Sequence, residues 1–311
     1  DRKLKVGFVK EAASTMWNTQ LVSYTIDTSS KEWNIELKFK DSQSKWNLQM
    51  EQLESLIEEK VDVIGLRPLI ETGYEEVFTK AKEAGIPIIL IDRTVNCADE
   101  SLWTTYIVND WEKEGEMAGK WIIENIGMDK YSGEEVKVIE ITGELPPPYD
   151  ENYNESIKIN QIKEGFRKGI EGNKNVKIVD TLPGEFSSEQ SLEVLKQYLR
   201  KDKDIDIVFC QNDDMALGAI YAIKAVDLVP GEDIQIVSIL GTNAALEAIV
   251  DGKIACSVEC NPLMGDLFME ACVRLANGEE IEREIHPVDR VFDITNAQAE
   301  IDYRKLKGYG Y

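Results

Sequence analysis

Short apolar runs recur along the chain at residues 5–9, 35–39, 61–66, 86–91 and 105–108. A second series follows at 136–141, 176–181, 205–210 and 234–239. Between them lie segments whose apolar positions repeat with a helical period, for example 47–60, 71–84, 112–126 and 189–201. Short, continuously apolar strands separated by helices predict parallel βαβ units, with each sheet covered on both faces. Nine such strands divide into two doubly wound sheets, with a change of domain near Asn109-Asp110.

The tail breaks the rhythm. After Gly241 the pattern predicts a helix at 244–250, a strand at 254–259, a helix at 263–276 and a final strand near 287–294. A βα pair added after a finished domain implies that the chain crosses back between domains. The expected division is therefore 1–109 plus 241–289 for one lobe and 110–240 plus 290–311 for the other. Several crossovers make a hinge, and a hinge between two α/β lobes makes a cleft that closes. The stretch 144–155 carries three consecutive prolines and reads as an extended, solvated loop, with a place at the cleft mouth as the alternative.

Composition narrows the functional classes. At 311 residues, with 43% hydrophobic and 30% charged, the chain is globular and long enough for two cores. A formal net charge of −23 argues against direct binding to nucleic acid or an anionic membrane surface. No apolar run approaches the roughly 18 residues of a membrane span, so no direct membrane insertion is expected. Asp1-Arg2 leads straight into a strand, as in a domain trimmed of a leader. Cys97, Cys210, Cys256, Cys260 and Cys272 lack metal-ligand spacing and read as small core residues; with His286 the sole imidazole, no metal is expected. Neither a GxGxxG turn nor a phosphate-binding loop follows the first strand, so no nucleotide cofactor is expected.

What recurs is a polar or aromatic group just beyond each strand. Asp92-Arg93 follows the apolar run 86–91, and Ser14 and Trp17 follow the first strand. Trp46 comes shortly after the second, and Asp110 after the fifth. In the second series the corresponding groups are Phe186, Asn212 and Glu259. Strand ends of parallel sheets point to one edge, where α/β proteins bind ligands. Aromatic faces cover the C–H faces of a sugar ring, and carboxylates, amides and guanidinium groups satisfy its hydroxyls. Each also has a purely structural alternative: Trp17 as a core residue, Trp46 as a surface cover, Asn212 as a helix cap, and Asp92-Arg93 as an ordinary surface ion pair.

The chain resembles the type I periplasmic sugar-binding proteins, the ribose/galactose class of solute receptors of ABC transporters, and is most similar to their galactofuranose-binding branch. The resemblance rests on Val6–Phe8, Val61–Pro68, Ala81–Arg93, Gln211–Ile220, Asp251–Glu259 and His286–Asp289 in order, and covers essentially the whole chain. It implies sugar contacts from Asp92 and Arg93, stacking by Trp17 and Phe186, and polar contacts from Ser14, Asn212, Glu259 and Asp110. Two departures stand out. Leu240 occupies a position where the family commonly has Asp, and the family's sugar-binding Arg falls near Asn160. Extra aromatics leave room for a ligand larger than a pentose, such as a disaccharide or short oligosaccharide.

The resemblance implies a non-enzymatic, extracytoplasmic receptor, periplasmic or lipid-anchored and made with a signal peptide. It would hand a sugar to the membrane subunits of an ABC permease. The ligand-binding domains of LacI-type repressors share the fold, so an effector-binding domain of a regulator is the alternative, as is a chemoreceptor-linked sugar sensor. A sugar-modifying enzyme ranks last, because no catalytic set is present.

Overall fold

The computed structural model describes residues 2–11, 17–126, 134–144 and 153–309. The first series runs β1 (Lys5–Lys10), α1 (Trp17–Glu32), β2 (Glu36–Asp41), α2 (Trp46–Glu58), β3 (Val63–Leu66), α3 (Glu75–Glu83), β4 (Ile88–Ile91) and β5 (Thr105–Ile107). The second runs α4 (Trp111–Asn125), β6 (Val136–Thr142), α5 (Tyr153–Ile170), β7 (Val176–Pro183), α6 (Ser188–Leu199), β8 (Ile207–Cys210), α7 (Asp213–Lys224), β9 (Gln235–Leu240), α8 (Asn243–Val250) and β10 (Cys256–Glu259). The chain closes with α9 (Gly265–Ala276), β11 (Glu284–Ile285), β12 (Val291–Asp293) and α10 (Ala297–Lys307).

These elements form two compact units. Unit 1 is Asp1–Asn109 with Pro262–Val288, and unit 2 is Asp110–Asn261 with Asp289–Tyr311. The sheet of unit 1 has the order β11-β5-β4-β3-β1-β2, and every pairing is parallel. Its central strands β3 and β4 are apolar without interruption because alternate residues feed opposite faces. Ile88 and Leu90 enter the core under α2 and α3, whereas Ile89 and Ile91 enter the core that includes Val22, Ile26, Phe268 and Met269 of α1 and α9.

The sheet of unit 2 has the order β12-β10-β9-β8-β6-β7, parallel except for the antiparallel β10–β12 edge. On one face α4 and α5 approach closely through glycines. A Cβ on Gly165 would lie 1.8 Å from the Glu112 carbonyl oxygen, and one on Gly115 would lie 2.4 Å from that of Ile162. Beneath them Phe166 and Phe209 stack at 3.9 Å.

The division differs from the pattern-based one at the second crossing. Helix α8 and strand β10 stay in unit 2, so the chain leaves that unit after Asn261 rather than near Gly241. The reason is a buried carboxylate: Asp213 accepts from Ser238 Oγ of β9 at 2.6 Å and from Ser257 Oγ of β10 at 2.7 Å, which fixes β10 beside β9. The strand expected near 287–294 is β12, in unit 2, and the short β11 just ahead of it, not expected, joins the sheet of unit 1. Helix α10, which the hydrophobic pattern does not single out, is held by Ala297 and Ile301 in the core of unit 2 and by charge: Arg304 is fully buried and donates to Gly241 O and Glu300.

Candidate functional site

Both sheets reverse their direction of winding at one point, between β1 and β3 in unit 1 and between β6 and β8 in unit 2. Ligand sites of open α/β sheets lie at the carboxyl ends of the strands flanking such a reversal.

In unit 1 this edge carries Glu11 just beyond β1, Arg67 just beyond β3, and Asp92-Arg93 just beyond β4. Arg67 is the centre of the set. Its Nε donates to Asp92 Oδ2 at 2.8 Å, its Nη2 donates to the same oxygen, and its Nη1 pairs with Glu11. All three side chains are nearly buried. Asp92 and Arg93 do not pair with each other: Arg93 reaches Leu69 O and Glu71 Oε1, each at 3.2 Å. The surface ion pair considered for this dipeptide is therefore replaced by two separate, largely buried pairs.

The backbone at Asp92 is itself unusual. Asp92 has φ of +62°, and the Arg93 N–H returns to Ile91 O at 2.6 Å. That i+2 to i bond around a left-handed residue makes a classic γ-turn, a rare and strained form. Neighbours hold it in place. Asp92 N donates to Ile107 O at 2.8 Å, and the Tyr106 hydroxyl donates to Asp92 O at 3.1 Å. Burial pushes the Tyr106 phenol well above its ordinary range, so it stays a neutral donor. Behind Arg67 a buried polar net fixes the loop: Gln49 Nε2 donates to Arg67 O and Ser42 Oγ, and Gln49 Oε1 accepts from Leu69 N and the Tyr74 hydroxyl.

In unit 2 the edge carries Gly143 after β6 and Gln211-Asn212 after β8. Gln211 is buried and links both strands to α5, accepting from Gly143 N at 3.0 Å and donating to Ile159 O at 3.2 Å. Phe186 has φ of +50° and lies against Gly143 so closely that a Cβ there would overlap its ring. The Lys158 ammonium stands 5.3 Å from the Phe186 ring centre.

The remaining sequence-derived residues fall as follows. Ser14 lies outside the described residues, as does most of the proline-rich loop at 145–152, and Trp17 opens α1. Trp46 opens α2 and packs edge-on against Tyr74 at 4.9 Å, a half-buried cover over the Gln49 net. Asp110 caps α4 through Lys113 N at 2.9 Å, and Asn212 caps α7 through Met215 N at 2.9 Å, so one oxygen of each serves a helix end.

Asn160 is exposed on α5, two residues from Lys158 and so about 200° around the helix from it. Glu259 is committed elsewhere: Arg290 Nε and Nη2 donate to its two oxygens, each at 2.8 Å, and Arg290 and Arg304 both continue to Glu300. Arg67 and Glu11 are the members that strand-end reasoning passed over. Arg67 sits one residue past an apolar strand, the same signal that drew attention to Asp92.

Among the described residues no cluster of His, Cys, Asp and Glu has the form of a metal site. All five cysteines are free and buried.

A family profile described as periplasmic binding protein domain matches residues 6–280. The galactofuranose-binding protein YtfQ of Escherichia coli is 30% identical over 310 residues, 98% of this chain and 93% of that protein. A crystal structure from Mycobacterium smegmatis in complex with β-D-fucofuranose shares 33% identity over 98% of this chain and 96% of that one, with a TM-score of 0.75. The arabinose-transporter binding protein of Shewanella sp. ANA-3, bound to α- and β-L-arabinofuranose, shares 30% identity over 98% and 96% of the two chains, with a TM-score of 0.76.

Proposed function

The chain belongs to the periplasmic binding protein family, and from that premise we propose that it is an extracytoplasmic receptor for a sugar in the five-membered ring form. It would deliver that sugar to an ABC permease, and it has no chemistry of its own to perform on it. The observation that carries this reading is the Glu11–Arg67–Asp92 set at the winding reversal of unit 1, with Arg93 beside it. Fixed carboxylate and guanidinium groups on a strained, over-determined turn suit a small polyhydroxylated ligand, because their positions are set before it arrives. Phe186, after β7, offers a ring face from the corresponding edge of unit 2, and Asn212 follows β8 on the same sheet.

The mechanism is a population shift. A sugar bound more tightly by one conformation of the chain stabilises that conformation by its differential affinity. The curated relative and the sugar-bound neighbours named above support a furanose over a pyranose or an oligosaccharide. Among the described residues no helix is long and apolar enough to cross a membrane.

The test is thermal unfolding against a panel containing L-arabinose, D-galactose, D-fucose, D-ribose and myo-inositol, followed by calorimetry. A ligand at a hundred times its Kd adds about 2.7 kcal/mol of stability. A furanose-forming sugar should raise the melting temperature and bind one to one. A panel without any shift overturns the proposal, and binding of myo-inositol alone overturns its furanose part.

A further inference from the structure

The two sheets share one strand order, β11-β5-β4-β3-β1-β2 and β12-β10-β9-β8-β6-β7, so each strand of unit 1 has a counterpart in unit 2. Backbone strain follows that correspondence. Two consecutive left-handed residues, Gln43 and Ser44, follow β2, closed by Lys45 N donating to Ser42 O at 2.8 Å. Two more, Glu185 and Phe186, follow its counterpart β7, closed by Ser187 N donating to Gly184 O at 2.8 Å. Asp92 follows β4 with positive φ, and Leu240 ends the counterpart strand β9 with φ of +137°. The other non-glycine residues of positive φ among the described ones, Asn34, Lys60 and Asp227, follow helices at the opposite end of the strands.

Leu240 therefore holds in unit 2 the place that Asp92 holds in unit 1. A leucine with this φ adopts a backbone that glycine takes freely and other residues resist, and it persists only where the surroundings over-determine it. Here they do. Leu240 O accepts from Cys260 N at 3.2 Å, and Gly241 N donates to Ser257 Oγ at 3.0 Å. Gly241 O accepts from Arg304 Nη1 at 2.7 Å, and Thr242 N donates to Asp213 Oδ2 at 2.7 Å. Ser257, Arg304 and Asp213 are all fully buried. Leu240 itself keeps 9% of its surface, close to the 14% of the Asp92 side chain. The clamped residue at the strand-end edge is thus a carboxylate in one unit and an isobutyl group in the other.

We propose that Leu240 is a specificity-determining residue of the sugar site, an apolar contact that selects a deoxy sugar, one ending in a methyl group where its parent carries a hydroxyl. This rests on the reading of the protein as a sugar receptor and names the kind of sugar. Most substituents of a sugar ring are hydroxyls, which Asp92 and Arg93 suit; the terminal methyl of a deoxy sugar is apolar throughout and suits Leu240. A hydroxyl turned toward Leu240 gives up its bonds to water and gains none, whereas a methyl group gives up nothing. An apolar contact rejects an added hydroxyl only moderately, so the expected preference is about tenfold to a hundredfold.

Calorimetry on pairs of sugars that differ only in the terminal hydroxyl tests this: D-fucose against D-galactose, and 5-deoxy-L-arabinose against L-arabinose. The wild type should bind the deoxy member of the pair it accepts at least about tenfold more tightly. Leu240→Gly removes the side chain and suits the backbone, since glycine adopts φ of +137° freely, so the preference should disappear. Leu240→Asn offers the hydroxyl a partner and should move the preference toward the parent sugar. A purely structural role for Leu240 would weaken both members of a pair equally and leave their ratio unchanged. A wild-type preference under about tenfold, or one that survives in Leu240→Gly, overturns the proposal. Should Leu240→Asn not fold, the wild type and Leu240→Gly decide. Binding of parent and deoxy sugar alike, or of another sugar of the panel and neither pair, overturns this proposal and leaves the receptor standing. No binding by any of these sugars overturns both.

Discussion

The substitution Glu259→Gln separates a structural role from a ligand-binding one. Glu259 is 1% exposed and receives two hydrogen bonds from Arg290, which is 46% exposed, while fully buried Arg304 lies 3.8 Å away. Removing one partner of a fully buried pair costs about 3–5 kcal/mol. The Arg290 end is half in water, so its share is discounted toward the roughly 0.2–1 kcal/mol of exposed pairs. Arg304 keeps Glu300 and Gly241 O but loses part of its compensating charge. The sum is about 2–4 kcal/mol. At about 2–4 °C per kcal/mol for a unit of this size, the melting temperature should fall by roughly 4–16 °C. Sugar affinity, measured by calorimetry well below the melting transition, should change less than about threefold, since that corresponds to under 1 kcal/mol. A variant as stable as the wild type that loses sugar affinity more than tenfold would refute the assignment and return Glu259 to the ligand.

Three further outcomes follow from other parts of the molecule. Gly165→Ala places a Cβ against the backbone oxygen of Glu112, so α4 and α5 must separate; a loss of about 1–3 kcal/mol in urea unfolding is expected, and an unchanged midpoint refutes the close packing. The Glu114 carboxyl is raised in the folded state, so its contribution is fully present below the unfolded-state value near about 4.3 and is lost as pH rises through the folded value. Between about pH 5 and pH 8 the wild type should therefore lose stability relative to Glu114→Gln, and parallel pH profiles count against a raised carboxyl. All five thiols are buried, and burial pushes Cys97 up to about 11; an aromatic disulfide reagent should find no fast-reacting thiol in the native protein and five after denaturation.

Much of the fold was legible because doubly buried strands must be apolar at every position. Runs such as Ile86–Ile91 have no amphipathic reading, and the parallel sheets follow from them. The second chain crossing was not legible, because β10 belongs to unit 2 through Asp213, whose four acceptor contacts gather Ser238, Thr242 and Ser257 from well-separated parts of the chain. Helix α10 escaped notice because its apolar face is narrow, Ala297 and Ile301 being completed by the buried Arg304–Glu300 pair.

The site was half legible. Position beyond a strand end picked out Asp92, Arg93 and Phe186, and the same rule applied to β3 would have picked out Arg67. It also named Glu259 without foreseeing its pairing with Arg290, because the rule says where a side chain starts and not which partner it has. Arg290 lies 31 residues further along. The γ-turn at Asp92 leaves no trace in composition, since its left-handed residue is not a glycine.

The interleaving of the two units has a consequence for how the chain is made. Helix α9 supplies Phe268, whose ring fills the space beside Gly65 of β3, and β11 pairs with β5. Both come from the segment Pro262–Val288, synthesised after nearly all of unit 2. Unit 1 therefore leaves the ribosome with one edge strand and one helix face missing, and must wait for about 150 residues at roughly 5–20 residues per second, some tens of seconds at the slow end. Unit 2 waits in turn for β12 and α10. Neither unit can finish before the other is almost complete, so the chain spends its synthesis with two partly open cores, and long-range pairing rather than local structure sets the pace of folding.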